Sequence, residues 1–105
     1  MSRIIPSVRW VIRHEPGERW IRGTDFREQQ GVGEHAQHYR KFAELGRLEL
    51  GGPFLLEDSG GMVVTIKGLA KEEVVAFAAA DPAVKSGLLK FEVLPWLTPM
   101  ERRND

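Results

Sequence analysis

Alternating and helical periods follow one another along this chain in an order that few folds accommodate. Val8, Trp10 and Ile12 alternate with Arg9, Val11 and Arg13, which is the pattern of a strand with one buried face. Over 32–45 the period becomes helical, with Val32, Ala36, Tyr39 and Ala43 at steps of four and three and Phe42 and Leu45 widening the stripe. Gly46 is placed to cap that helix. Alternation returns over 47–50 and stops at Gly51-Gly52-Pro53. After the turn residues 57–61 a third strand is expected over 62–67, so the second and third strands read as a hairpin. A second helix is expected over 71–80, with Val74, Phe77 and Ala78 inward, and a fourth strand over 88–94, ended by Pro95-Trp96.

The order β-α-β-β-α-β predicts an α+β, ferredoxin-like (split βαβ) fold: a four-stranded antiparallel sheet with both helices on one face. Right-handed crossovers place the first and third strands in its centre. Trp10, Ile12, Tyr39, Leu48, Val64, Ile66, Phe77, Phe91 and Val93 are the expected core. The opposite sheet face then carries Arg9, Val11, Arg13, Glu49, Val63, Thr65, Lys90 and Glu92, with Leu88 and Leu94. A half-apolar face of this kind calls for a cover, and a homodimer built sheet to sheet supplies one.

Composition removes several functions. At 105 residues the chain makes one domain, with its core over about 8–97 and a charged, frayed tail over 98–105. It has no cysteine, which excludes disulfides, iron–sulfur clusters and thiolate zinc sites. Fifteen basic and fifteen acidic residues cancel, against the basic excess that nucleic-acid binding requires. An RNA-recognition module of this topology stacks bases on aromatic residues of its central strands, and here those positions hold Arg9, Val11, Arg13, Val63 and Thr65. No apolar run reaches the ~20 residues of a membrane span. Residues 1–6 lack the apolar core of a secretory signal, so a cytoplasmic location is expected. Gly51-Gly52-Pro53 and Gly60-Gly61 lack phosphate-loop spacing.

The richest local signal lies at Ala78-Ala79-Ala80-Asp81-Pro82, where an alanine-rich helix meets an Asp-Pro step, one further turn and Gly87. Asp before Pro is what a short helix uses as N-cap and first-turn residue. Capping engages one carboxylate oxygen and leaves the other free. His35 lies on the first helix, and a carboxylate that accepts its ring N–H would fix the tautomer and raise its basicity. His38, one turn on, competes for that role. His35 and His38, at i and i+3 with Glu34 beside them, face one way but lack a third metal ligand at matching spacing, so no metal is expected. Arg9 and Arg13 suit planar anions, or else pair with Glu49 and Glu92 across the sheet. The segment 14–30 is long for a compact domain, and Trp20, Ile21 and Phe26 within it point to a flap folded back on the body.

Glu34-His35 followed by Gly46, the run Leu48-Glu49-Leu50-Gly51-Gly52-Pro53, Gly60-Gly61, Asp81-Pro82, and Phe91-Glu92-Val93-Leu94-Pro95-Trp96 occur in one colinear order from about Val8 to Trp96. This resembles the YCII-related (YciI-like) family of small dimeric α+β-barrel proteins. The resemblance implies a face-to-face homodimer and a cleft in which His35 and Asp81 form the catalytic pair. Arg13 and Pro53 are the substrate-binding residues expected beside them. It further implies a cofactor-free enzyme, a lyase or isomerase that moves a proton on a small ring-containing or enolic ligand. The alternative kept beside it is a non-catalytic dimeric module that binds a small ligand or a protein.

Overall fold

The computed structural model describes residues 8–102. The expectations of no secretory-signal core over 1–6 and of a frayed end over 103–105 lie outside the described residues. The elements are β1 (Val8–Pro16), a single 3-10 turn (Phe26–Glu28), α1 (Val32–Glu44), β2 (Leu48–Pro53), β3 (Gly61–Thr65), α2 (Lys71–Ala79), α3 (Pro82–Lys85) and β4 (Leu89–Leu97). The sheet runs β2-β3-β1-β4 with every pair antiparallel, so the first and third strands are central and the fold is ferredoxin-like. No helix among the described residues is long and apolar enough to cross a membrane.

Val8, Trp10 and Ile12 of β1 pack with Val63 of β3, Tyr39 and Phe42 of α1, and Val74 and Ala78 of α2. Each large side chain fully removed from water there contributes roughly 1.5–3 kcal/mol. Phe42 is one of them, and its ring lies 4.5 Å from that of Phe77, which joins the two helices over the sheet. α1 stops because Gly46 takes φ 74°, which lets Arg47 N–H reach the Phe42 carbonyl at 3.2 Å and Gly46 N–H reach Ala43 at 2.9 Å.

Several expectations are corrected. The phase of β3 is the reverse of the one predicted: Val63 faces Ile12 in the register and belongs to the core, whereas Val64 pairs with Val11 on the outer face. An unbroken apolar run carries no phase, and a slip of one residue exchanges the faces. Thr65 also points to the helices, where its hydroxyl accepts Trp10 N–H at 3.0 Å and donates to the Ile66 carbonyl at 2.8 Å. Leu88 is not on the sheet face but is buried with Ala83 and Leu89 against Trp20. β2 continues through Gly51-Gly52-Pro53 and β4 through Pro95-Trp96, because both are edge strands where a missing N–H faces away from the ladder. On α1, Ala36, Ala43 and Leu45 are exposed, so only Tyr39 and Phe42 of the predicted stripe reach the core.

The described part of the tail is tied down rather than frayed. Arg9 donates to Thr98 Oγ1 at 2.8 Å and pairs with Glu101 at 3.1 Å, and Lys67 pairs with Glu101 at 2.5 Å.

Candidate active site

Three elements deliver three polar side chains to one point under α1. β1 alternates past Ile12, so its next helix-facing residue is His14, which is buried. α1 begins at Gly31 and presents His35 in its first turns. α2 ends at Ala80, and Asp81 caps α3: its Oδ1 accepts Ala83 N–H at 2.9 Å, with Pro82 in the first turn. The other oxygen, Oδ2, lies 2.5 Å from His35 Nδ1. Capping and pairing therefore use the two carboxylate oxygens separately.

Asp81 is wholly buried, whereas 22% of the His35 side chain is exposed. Burial pushes the Asp81 carboxyl up, but the His35 hydrogen bond and charge, the Ala83 N–H and His14 together hold it below the usual carboxylate range. A carboxylate can only accept, so His35 carries its proton on Nδ1 toward Asp81, and Nε2 is the nitrogen left for chemistry. Nε2 has no hydrogen-bond partner among the described residues.

His14 completes the cluster. Its Nε2 is 3.9 Å from Asp81 Oδ2 and 3.4 Å from Tyr39 Oη, and its ring meets His35 edge to face at 4.8 Å. Burial first, and the neighbouring His35 second, push its pKa down to about 4, so it is neutral at pH 7. Burial and then the Asp81 charge push the Tyr39 phenol up, which keeps it an O–H donor. At pH 7, then, neither group brings a charge to compete for Asp81; His14 acts on it only once protonated in acid.

His35 opens on a cleft of about 330 Å³ between α1 and the β2–β3 hairpin. Val32, Ala36, Tyr39 and Ala43 form its helical wall, so the stripe read as core is largely the side of this cleft. Leu48, Gly51-Gly52-Pro53 and Gly60–Val63 form the opposite wall, with Trp20 and Phe26 at the end. A dry cavity of ~150 Å³ already holds a benzene ring, so this one takes a single substituted ring. The segment before α1 folds back as expected. Gln29 is buried and binds Ile21 N–H at 3.0 Å and the Ile21 and Thr24 carbonyls at 2.8 and 3.0 Å, while Trp20 Nε1 donates to Asp58 at 2.7 Å. Ile21 itself is exposed, contrary to its expected role in that packing.

Of the four residues singled out from sequence, His35, Asp81 and Pro53 converge, the last on the cleft wall. Arg13 does not. It lies on the outer sheet face, one residue out of phase with His14, and pairs with Glu92 across β1 and β4. Arg9 pairs with Glu49 at 3.3 Å on the same face. His38 is engaged elsewhere: its Nε2–H donates to the Phe77 carbonyl at 2.7 Å and its ring stacks on Phe77 at 4.0 Å. The arginine that does reach the cleft is Arg40, which sequence reasoning passed over. His14 is absent from the residues singled out from sequence, although the 8, 10, 12 alternation continued by one step leads to it.

A third metal ligand, missing from the sequence pattern, is supplied by β1. Donor atoms of His14, His35 and Asp81 all lie within 4.8 Å of one another. Ligands on one tetrahedral zinc stand ~3.3 Å apart for bonds of ~2.0 Å. The 2.5 Å between His35 and Asp81 is shorter than that and is the contact of a direct hydrogen bond.

No family model matches this chain, and no curated protein matches it. Among solved structures it is similar to 5-chloro-2-hydroxyhydroquinone dehydrochlorinase (TftG) from Burkholderia phenoliruptrix AC1100, in complex with 2,5-dihydroxybenzoquinone. The TM-score is 0.56 at 20% identity, over 85% of this chain and 92% of that one. At that identity the likeness establishes a shared fold, a ferredoxin-like α+β sheet.

Proposed function

We propose that this protein is a small enzyme of the YciI-like kind that moves a proton on a one-ring or enolic compound, by elimination or isomerisation. The observation that carries the reading is the 2.5 Å contact of His35 Nδ1 with a fully buried Asp81, on the wall of a ring-sized cleft. The dehydrochlorinase that shares the fold, held with a quinone, supports the choice of substrate class.

In this reading His35 Nε2 removes a proton from a hydroxyl or from carbon beside a carbonyl. Asp81 then stabilises the imidazolium through Nδ1–H. In an elimination the released electron pair expels a leaving group such as chloride, so the substrate loses one H and one anion and nothing is oxidised. In an isomerisation the same proton returns to another atom of the substrate. Apolar walls strengthen the His35–Asp81 interaction by keeping water out. Only protons and one leaving group move, so the step calls on no cofactor.

The outer sheet face supports pairing with a second copy. Leu50, Leu94 and Trp96 are exposed on it around the buried Val11 and Val64. A stable pair would bury about 1,600 Å² in all. Sedimentation at micromolar concentration should give a dimer mass, and a monomer mass would remove this part of the reading.

The catalytic test is a panel of halogenated and hydroxylated one-ring compounds, followed by chloride release and ultraviolet absorption. Turnover by the wild type that falls 10²–10⁴-fold in His35→Gln agrees with a general base. Equal turnover by His35→Gln contradicts it. Saturable ligand binding with no turnover favours the binding module instead.

A further inference from the structure

The cleft has a charge as well as a shape. Among the described residues that line it, Arg40 is the one arginine or lysine, and none is an aspartate or glutamate. Asp81 lies behind His35, its oxygens taken up by His35 and by Ala83 N–H. Arg9, Arg27 and Arg47 are neutralised by carboxylates, Glu49, Asp25 at 3.1 Å and Glu73 at 3.4 Å, whereas Arg19, Arg22 and Arg102, outside the cleft, form no such ion pair among the described residues. Arg40 has only the Gln37 side-chain carbonyl, at 3.4 Å, among the described residues. A cation at the edge of an apolar cleft focuses its field into that cleft and selects negative ligands.

Position adds to this. Arg40 and His35 stand at opposite edges of the α1 face that lines the cleft, about 7.5 Å apart along the helix axis at 1.5 Å per residue. The two side chains also diverge around the helix, so a ring held between them is reached by the long, flexible Arg40 side chain from one edge and by His35 from the other. A guanidinium matches a carboxylate in a two-bond fork, and at pH 7 a carboxylate is ionised where a simple phenol is not.

We propose that Arg40 is a specificity-determining residue that takes the carboxylate of a one-ring substrate and sets the ring against His35. This rests on the proton-transfer reading of the cleft and names its substrate class: a ring-containing carboxylate rather than a neutral ring.

Benzoate and benzamide, which differ in charge but hardly in shape, test it. Binding is followed by backbone amide shifts of cleft residues in wild type, Arg40→Gln and Arg40→Lys, with thermal melts alongside. The wild type should bind benzoate at least tenfold more tightly than benzamide, and added salt should narrow the gap. Arg40→Gln should bring the two to parity with an unchanged melting temperature, and Arg40→Lys should keep part of the preference. Parity in the wild type, or an undiminished preference in Arg40→Gln, overturns the proposal while leaving the His35–Asp81 reading intact. If neither ligand shifts cleft resonances, the proposal fails and the ring-binding reading fails with it.

Discussion

His35 Nδ1 stands 2.5 Å from Asp81 Oδ2, while the other oxygen of the same carboxylate caps helix α3 at Ala83. One buried side chain thus ends one helix, starts the next and orients an imidazole.

Asp81→Asn separates the charge from the shape. Asparagine is as good an N-cap as aspartate, so the cap survives and the only stability lost should be that of the charged hydrogen bond to His35. The amide no longer favours a protonated imidazole and can turn its N–H₂ toward Nδ1, so turnover should fall by about 10²–10⁴-fold. Kinetics and a thermal melt on the same preparation check both halves. Unchanged turnover in the variant would make Asp81 a structural cap alone.

Stability should decline in mild acid because of His14. Its folded pKa is about 4 against 6.5 for the free side chain. Between those values the unfolded chain takes up a proton that the folded one refuses. The contribution is therefore complete above pH 6.5 and is lost at about 1.4 kcal/mol per pH unit as pH falls toward 4. Asp81, whose pKa is held down, acts in a lower window, below the usual carboxylate pKa of about 3.9. Urea denaturation at pH 7 and pH 5 in wild type and His14→Gln tests this, with a smaller pH difference expected in the variant.

Gly60→Ala should be costly. Gly60 has φ 75°, and a β-carbon there would stand 2.1 Å from the His14 carbonyl oxygen. The turn before β3 would have to lift off β1 beside His14. A loss of about 1–3 kcal/mol is expected in denaturant, with weaker ligand binding.

Phe42→Ala removes a fully buried ring that meets Phe77 at 4.5 Å and Tyr39 at 6.0 Å. A loss of about 3–5 kcal/mol is expected. A change under about 1 kcal/mol would mean that α1 packs by another face.

Prolonged chelation should leave turnover unchanged. Activity lost to a chelator and restored by zinc would make His14, His35 and Asp81 ligands, with the proton between His35 and Asp81 replaced by the metal.

The fold was legible because its signals are local. Alternation in β1, Gly46 after α1 and the Asp81-Pro82 cap each dictate their own geometry, and their order admits one topology. The cap also explains why Asp81 could be singled out. β3 was misread because Met62, Val63, Val64 and Ile66 are all apolar, and only the pairing with β1 decides which side is inward. Arg13, expected beside the cleft, lies on the outer sheet face with Glu92. Strand phase puts Arg13 on the face away from His35, whereas Arg40 lines the cleft because the β2–β3 hairpin stands across from α1. His14 needed the same three-dimensional information before its neighbours, Asp81 and Tyr39, were visible.

The central claim is that Asp81 holds His35 with its proton on Nδ1 and its lone pair on Nε2, facing the cleft. Long-range ¹H–¹⁵N correlation spectra of the imidazole, at a pH where the ring is neutral, read the tautomer directly. The account predicts a protonated Nδ1 in the wild type, with the Nε2 resonance moving when a one-ring ligand is added. A ring protonated on Nε2, or an Nε2 signal indifferent to every ligand that binds the cleft, would contradict it.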